Sequence, residues 1–285
     1  MKILVTGGAG FIGSCLIERL IKNPENEVVS LDNYFTGKKT NHIPGVLYIE
    51  GNTKSISELV QFKPDIVYHF GEYSRVSTSF KDEVTVWDSN IVGTKHVLEF
   101  CKKNNAKLIY SASSTKFGDL GENKNKSPYA FYKSINTELI NNYSDWFGLD
   151  YAICYFYNVY GSRQISNGKY ATVIGIFQEQ YTSQTPLTVT TPGTQKRDFT
   201  HVSDIVNGLV LLSGGHASGD GYCFGTGKSR SILEVAKMFS NNIELIPSRM
   251  GERKDTSIDL EKARLLGWVH KIDLEDYIGD FKNEK

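Results

Sequence analysis

The stretch from Lys2 to Leu20 constrains this chain more than any other. Lys2 to Thr6 is a short β-branched run, suited to a strand buried on both faces. Thr6-Gly7-Gly8-Ala9-Gly10-Phe11-Ile12-Gly13 follows at once, and Phe11, Ile12, Cys15, Leu16, Arg19 and Leu20 then recur at helical spacing. Between a strand and a helix, each glycine has its own task. Gly7 permits the tight turn, Gly10 lets a pyrophosphate approach the backbone, and Gly13 allows helix and strand to pack closely. The phosphates then meet a helix N-terminus, where free N–H groups and the helix dipole favour anions. A glycine-rich turn without a ligand is the alternative, and the strand-to-helix context weighs against it. Asp32 adds to the case: it ends a second strand, Glu27 to Asp32, where a carboxylate holds the ribose 2′-OH of NAD and repels a 2′-phosphate. That Asp32 only starts a turn before Asn33 is the weaker account. The expectation is a nicotinamide dinucleotide, NAD, beside Gly7, Gly10 and Gly13.

The strand–helix rhythm continues. Val46 to Glu50, Asp65 to Phe70, Lys107 to Ser111 and Tyr151 to Tyr157 read as strands. Ser55-x-x-Glu58 reads as a capping box, a long helix spans Glu83 to Lys103, and another starts at Pro128 and ends near Gly148. This pattern predicts an α/β fold, a Rossmann doubly wound parallel sheet covered by helices on both faces. After Gly161 the rhythm weakens. Ser203 is expected to cap a helix through Leu212, Ser231-x-x-Glu234 is a second capping box, and Asp259 to Leu266 reads as a last full helix closed by Gly267. The division predicted is an NAD-binding domain over 1–160, with 197–228 returning to it, and a smaller, mainly substrate-binding region over 161–285.

Lysine plus arginine and aspartate plus glutamate number 32 each. A balanced chain without a basic stripe argues against nucleic acid as a partner. Cys15, Cys101, Cys154 and Cys223 form no C-x-x-C pair, so neither a disulfide framework nor a metal site is expected. There is no signal-peptide character and no run of the roughly 20 apolar residues that span a bilayer. The chain reads as soluble and cytoplasmic, without a membrane partner.

Tyr129 and Lys133, four apart on the helix after Pro128, share one face. A lysine ammonium favours a neighbouring phenolate, so the pair can act as a general base and its electrostatic partner. Tyr132 projects elsewhere. Ser113 and Ser114 follow the strand ending near Ser111, at the end of the sheet where ligand crevices form. A serine there can bond the substrate oxygen that Tyr129 deprotonates; a serine-rich turn is the even alternative.

Together these features resemble the extended short-chain dehydrogenase/reductase family, in its nucleotide-sugar epimerase and dehydratase branch. The resemblance covers nearly the whole chain: T-G-G-A-G-F-I-G-S at 6–14, L-D-N at 31–33, D-I-V-Y-H-F at 65–70, N-I-V-G-T at 90–94, Y-S-A-S-S-T-K-F-G at 110–118, P-Y-A-F-Y-K at 128–133, N-V-Y-G at 158–161, R-D-F-T-H-V-S-D at 197–204 and R-M-G-E at 249–252. It implies that Ser113, Tyr129 and Lys133 are catalytic, with Tyr129 and Lys133 also on the cofactor. It places Phe11, Ile12, Asn33, Asn52, Thr53, Phe70 and Gly71 along the cofactor with the glycines and Asp32. It places Ser113, Ser114, Asn158, Arg197 and Arg249 on the substrate, the arginines forking onto phosphate oxygens. Dehydratases of this branch carry Asp-Glu after the catalytic hydroxyl, and decarboxylases keep the second acid. Here those sites are Ser114 and Thr115, which favours 4-epimerisation of a UDP-hexose or UDP-N-acetylhexosamine through a 4-keto sugar. A dehydratase or reductase of the same family, and a non-catalytic NAD-binding protein, are the alternatives. Family analogy also implies a homodimer through the helices near 83–103 and 128–148.

Several positions depart from the pattern, and one more bears on the sugar. Gly71 and Glu72 replace two alanines, with Glu72 expected to contact substrate, reach the nicotinamide side or point to solvent. Lys116 and Phe117 replace valine and tyrosine, and Lys116 is expected to add charge near the site. Thr256 resembles the gate beside the sugar C2 substituent, and its small size is expected to admit an N-acetyl group.

Overall fold

The computed structural model describes residues 1–117, 125–251 and 258–284. The strands are β1 (Lys2–Thr6), β2 (Glu27–Asp32), β3 (Leu47–Glu50), β4 (Ile66–His69), β5 (Lys107–Ser113), β6 (Tyr151–Phe156), β7 (Leu187–Thr190), β8 (Lys196–Arg197), β9 (Gly219–Phe224), β10 (Arg230–Ser231) and β11 (Ile243–Ile246). The helices are α1 (Phe11–Leu20), α2 (Ile56–Leu59), α3 (Glu83–Val86), α4 (Gly93–Asn104), α5 (Pro128–Phe147), α6 (Val173–Thr182), α7 (Val202–Leu212), α8 (Ile232–Phe239), α9 (Glu261–Leu265) and α10 (Leu274–Asn283). A π-helical segment, Trp87–Val92, joins α3 to α4, so the expected long helix is a single run with one widened stretch.

The main sheet has seven strands in the order β3-β2-β1-β4-β5-β6-β9. Every pairing in it is parallel, as the strand–helix alternation predicts. Side chains alternate across it. Ile3, Val5, Tyr68, Ile109 and Cys154 bury on the face covered by α1 and α7. Leu4, Val67, Leu108, Tyr110, Ile153 and Tyr155 bury on the other, under α2, α4 and α5. A sheet buried on both faces needs these continuous apolar strands. A third cluster, including Tyr160, Phe177, Leu187, Val189, Val235 and Phe239, forms the core of the segment around α6, α8 and the β7–β11 pair.

Four local expectations change. Ser55 makes no side-chain cap, because a 3-10 turn over Thr53–Ser55 leads into a helix of only four residues, Ile56–Leu59. His201, not Ser203, caps α7: its side chain accepts from the Ser203 N–H. The last helix is α10, beyond Gly267, whereas the predicted 259–266 helix shortens to α9. β5 runs on to Ser113, so this serine is the end of a strand. The Ser231–Glu234 box forms with both of its hydrogen bonds. All four cysteines are free and buried. Among the described residues no helix is long and apolar enough to cross a membrane.

Candidate active site

In the strand order, β1 lies between β2 and β4, and the crossovers run in opposite directions on its two sides. Parallel sheets open their ligand crevice at such a switch point. Here a cleft of about 550 Å³ opens there, and it collects residues from the ends of β1, β2, β4 and β5 and from α5. Its size suits a bound cofactor and small substrate.

The glycine loop forms one wall. Gly7 has φ +74°, and a Cβ on it would meet Phe70 C at 2.8 Å and Gly71 N at 2.9 Å. A Cβ on Gly13 would strike the Gly7 carbonyl, with Gly7 C and Gly8 Cα at 2.9 Å. Gly10 caps α1 without a side chain, leaving the helix N-terminus open to the cleft. Asp32 is buried, with Oδ2 accepting from Ala9 N–H and Oδ1 from Tyr34 N–H, both at 2.8 Å. Burial raises its carboxyl above the usual range, and those two backbone bonds oppose the rise. Phe11, Ile12, Asn33, Asn52, Thr53, Phe70 and Gly71 also line the cleft. The Asn33 and Asn52 amides bond each other at 2.8 Å. A helix N-terminus free of side chains, glycines that no Cβ could replace and a carboxylate at the β2 end fit a dinucleotide.

α5 is fixed by its own sequence. Ser127 caps it, accepting from Ala130 N–H at 3.1 Å; Pro128 fills the first turn, and Gly148 ends it at φ +70°. Tyr129 faces the cleft, and Ser113, Ser114 and Thr115 line the same space. Thr115 Oγ1 donates to Ser113 Oγ at 2.8 Å. Lys133 lies behind them, its side chain 4% exposed, bonded to the Ser111 carbonyl at 2.5 Å and ion-paired with Glu72. Asn158, Arg197 and Arg249 are lining residues as well. Thr256 lies outside the described residues.

Glu72 is not in solvent. Its side chain is 2% exposed, and Oε1 accepts from Tyr110 OH (3.0 Å), Thr94 Oγ1 (3.1 Å) and Asn136 Nδ2 (3.1 Å). The chain of bonds extends inward. Thr6 Oγ1 accepts from the N–H groups of Phe70 and Gly71, so its hydroxyl donates to His69 Nδ1 (2.7 Å). His69 Nε2–H then donates to Thr94 Oγ1 (3.0 Å), and these partners fix the tautomer. Burial pushes this imidazole down to about 4, so it is neutral here. Sequence reading left Glu72 between three roles; the fold brings Lys133 to it across the sheet end. Lys116, expected near the site, is instead held by Asp220 (2.9 Å) and Tyr155 OH (3.1 Å) and is not a cleft residue. Arg75, in the loop after β4, lines the cleft and was not foreseen; an isolated loop arginine carries no motif or period that singles it out.

The model of the NAD dependent epimerase/dehydratase family matches residues 3–222. The chain belongs to this family. A Methanocaldococcus jannaschii protein named "Putative UDP-glucose 4-epimerase" is 34% identical, over 97% of this chain and 95% of its own length. UDP-glucuronic acid decarboxylase 3 of Arabidopsis thaliana is 30% identical over 97% and 86%. The structure of a Thermus thermophilus UDP-glucose 4-epimerase in complex with NAD superimposes with a TM-score of 0.87 at 28% identity, covering 98% of this chain and 96% of that one. The resemblance to the epimerase and dehydratase branch of the extended short-chain dehydrogenases is thereby established, as is the Rossmann sheet. The protein is an NAD-dependent enzyme of nucleotide-sugar chemistry.

Proposed function

We propose that this enzyme is a 4-epimerase of a nucleotide-diphosphate sugar, a UDP-hexose or UDP-N-acetylhexosamine, and that Tyr129, Ser113 and Lys133 are its catalytic group. NAD, when bound along Gly7, Gly10, Gly13 and Asp32, supplies a reversible hydride acceptor. Tyr129 removes the proton of the sugar C4 hydroxyl and returns it after the 4-keto sugar has turned over. Ser113 Oγ, held by Thr115, bonds the same sugar oxygen. Lys133 holds the nicotinamide ribose with the donor that Glu72 and Ser111 leave over. Asn158, Arg197 and Arg249 hold the diphosphate.

One observation carries the choice among reactions. The carboxylates lining the cleft among the described residues are Asp32, Glu72 and Asp88. Asp32 is bonded to two backbone N–H groups, Glu72 to Lys133 and Asp88 to Lys54 (2.9 Å). With Ser114 and Thr115 after Ser113, no free acid among the described residues stands beside Tyr129 to eliminate water. Epimerisation needs none, because one tyrosine both takes and returns the proton.

The test is incubation with a panel of nucleotide sugars and separation of the products. A C4 epimer with no net NADH is the expected result; a dehydrated or decarboxylated product, or stoichiometric NADH, overturns the reading. Tyr129→Phe should abolish turnover while NAD remains bound.

We also propose a homodimer through α3, the π segment and α5. Val84, Trp87 and Phe131 are 78%, 46% and 45% exposed on these elements, and Trp87 packs edge-on against Tyr132, next to Phe131. An exposed apolar patch of this kind suits a protein partner.

A further inference from the structure

Arg75 is a cation of the cleft that the proposed mechanism leaves without a task. Its Nε donates to the Tyr170 carbonyl at 2.9 Å, Nη2 donates to the same oxygen, and Nη1 reaches the Ser74 carbonyl at 3.4 Å. These bonds hold the guanidinium against the wall of the cleft without neutralising it. Among the described residues no carboxylate pairs with it, whereas Lys54 has Asp88 and Lys133 has Glu72. Burial draws the group down from its ordinary value, and the Tyr129, Tyr73 and Tyr170 phenols act the other way. An arginine keeps its proton at any working pH, so this charge sits partly desolvated and uncompensated. Such a placement is costly unless a ligand brings the counter-charge.

The location says which part of a ligand that is. Tyr129 and Tyr73 belong to one apolar cluster, and Tyr170, whose carbonyl holds Arg75, packs against it. Arg75 therefore stands at the Tyr129 end of the cleft. If Tyr129 meets the sugar at C4, the ring atoms next to it are C3 and C5. C1, which carries the diphosphate, lies across the ring. The anionic group that common sugars carry beside C4 is a carboxylate on C5. A guanidinium fork matches a carboxylate through two parallel N–H bonds, and Arg75 retains N–H donors on both terminal nitrogens.

We propose that Arg75 selects a nucleotide hexuronic acid, pairing with the carboxylate on C5 of the sugar. The proposal rests on the reading of Tyr129 as the base at C4, and it narrows the sugar from a neutral hexose to its acid. Thr115 and Ser114 still leave decarboxylation without its acid, so the carboxylate is read and not removed.

The test compares UDP-glucuronic acid with UDP-glucose on the NAD-loaded protein, both by turnover and by calorimetric binding to Tyr129→Phe. The acid should be preferred by about 10–100-fold, the worth of one charged hydrogen-bond pair. In Arg75→Gln that ratio should fall to near one, and Arg75→Lys should restore part of it. Melting curves of each variant show that it is folded, and calorimetry on Arg75→Gln within the Tyr129→Phe background separates binding from catalysis. Epimerisation of UDP-glucose with no preference for the acid overturns this proposal alone. A calorimetric preference that depends on Arg75, without any turnover by the wild type, overturns the epimerase reading and leaves this one standing. Equal losses on both sugars in Arg75→Gln, or no binding of the acid, refute the role given to Arg75.

Discussion

Glu72 should be a keystone for Lys133, the lysine of the proposed catalytic group, and its removal gives the most exacting check of the site. Glu72→Ala takes the paired carboxylate from a lysine whose side chain is 4% exposed. It also leaves Tyr110 OH without the acceptor at 3.0 Å, and strips one acceptor each from Thr94 and Asn136. Removing one partner of a buried pair costs about 3–5 kcal/mol. An orphaned buried hydroxyl adds about 1 kcal/mol or more. Asn136 keeps the Asn90 carbonyl at 2.8 Å, so its share is small. A loss of about 4–6 kcal/mol follows, or roughly 8–12 °C in melting temperature for a chain of this size. Reversible urea unfolding measures it. A double-mutant cycle gives the decisive result. Lys133→Met alone strands the Glu72 carboxylate, but with Glu72→Ala no buried charge is left unpaired. The double variant should therefore be more stable than the sum of the single losses by at least about 2 kcal/mol. Additivity within about 0.5 kcal/mol would refute the buried pair, and with it the argument that Glu72 is unavailable as a catalytic acid.

The remaining expectations concern the sheet, the loop and the surface. His69 titrates near 4 when folded and near 6.5 when unfolded, so its contribution is complete above pH 6.5 and is lost as pH falls toward 4, where the unfolded chain binds the extra proton. Wild type should lose about 3 kcal/mol more than His69→Asn between pH 7 and pH 4 in urea titrations; parallel pH profiles would count against a neutral buried imidazole. Gly13→Ala places a methyl against the Gly7 carbonyl, in backbone that cannot yield, so NAD affinity should drop at least about tenfold and stability by about 1–3 kcal/mol. Fluorescence titration with NAD reads the first, and unchanged affinity would contradict the assigned loop geometry. Val84→Glu, at a position 78% exposed, should convert a sedimenting dimer to a folded monomer; a wild type that is monomeric throughout the micromolar range refutes the proposed interface.

The parts of the fold that were legible in the sequence are those fixed by neighbours a few residues away. The β1 loop was readable because its glycines answer to contacts within the loop and with adjacent strand ends. The α5 boundaries were readable because Pro128 and Gly148 act on their own turns. His201 was missed as a cap, since an imidazole can accept from a helix N–H but sequence patterns reserve that place for Ser, Thr, Asp and Asn. Ser55 and Glu58 had the right spacing and the wrong context, because the turn before them is 3-10 and the helix ends at Leu59. Lys116 had a motif position beside the site, but Asp220, 104 residues away in the chain, holds it elsewhere. Spacing describes what a side chain can reach locally; it does not include partners delivered by the topology.

Glu72 and Arg75 show what that difference means for charge in the site. They are three residues apart in one loop, close enough in sequence for a carboxylate and a guanidinium to pair. The fold separates their fates. α5 brings Lys133 to Glu72, and the Tyr170 carbonyl draws Arg75 away to the cleft wall. The positive charge of the lysine is then balanced inside the protein, and the arginine is left as the charge that a ligand meets near Tyr129. A chain with alanine at position 72 would leave its lysine unbalanced and would have more reason to exclude a second cation from the same cleft. The Glu72 carboxylate is thus what permits Arg75 to stand near Tyr129 without two uncompensated cations crowding one site. It follows that Glu72→Ala should weaken binding of any cationic competitor and strengthen that of an anionic sugar, the opposite of the effect expected from Arg75→Gln.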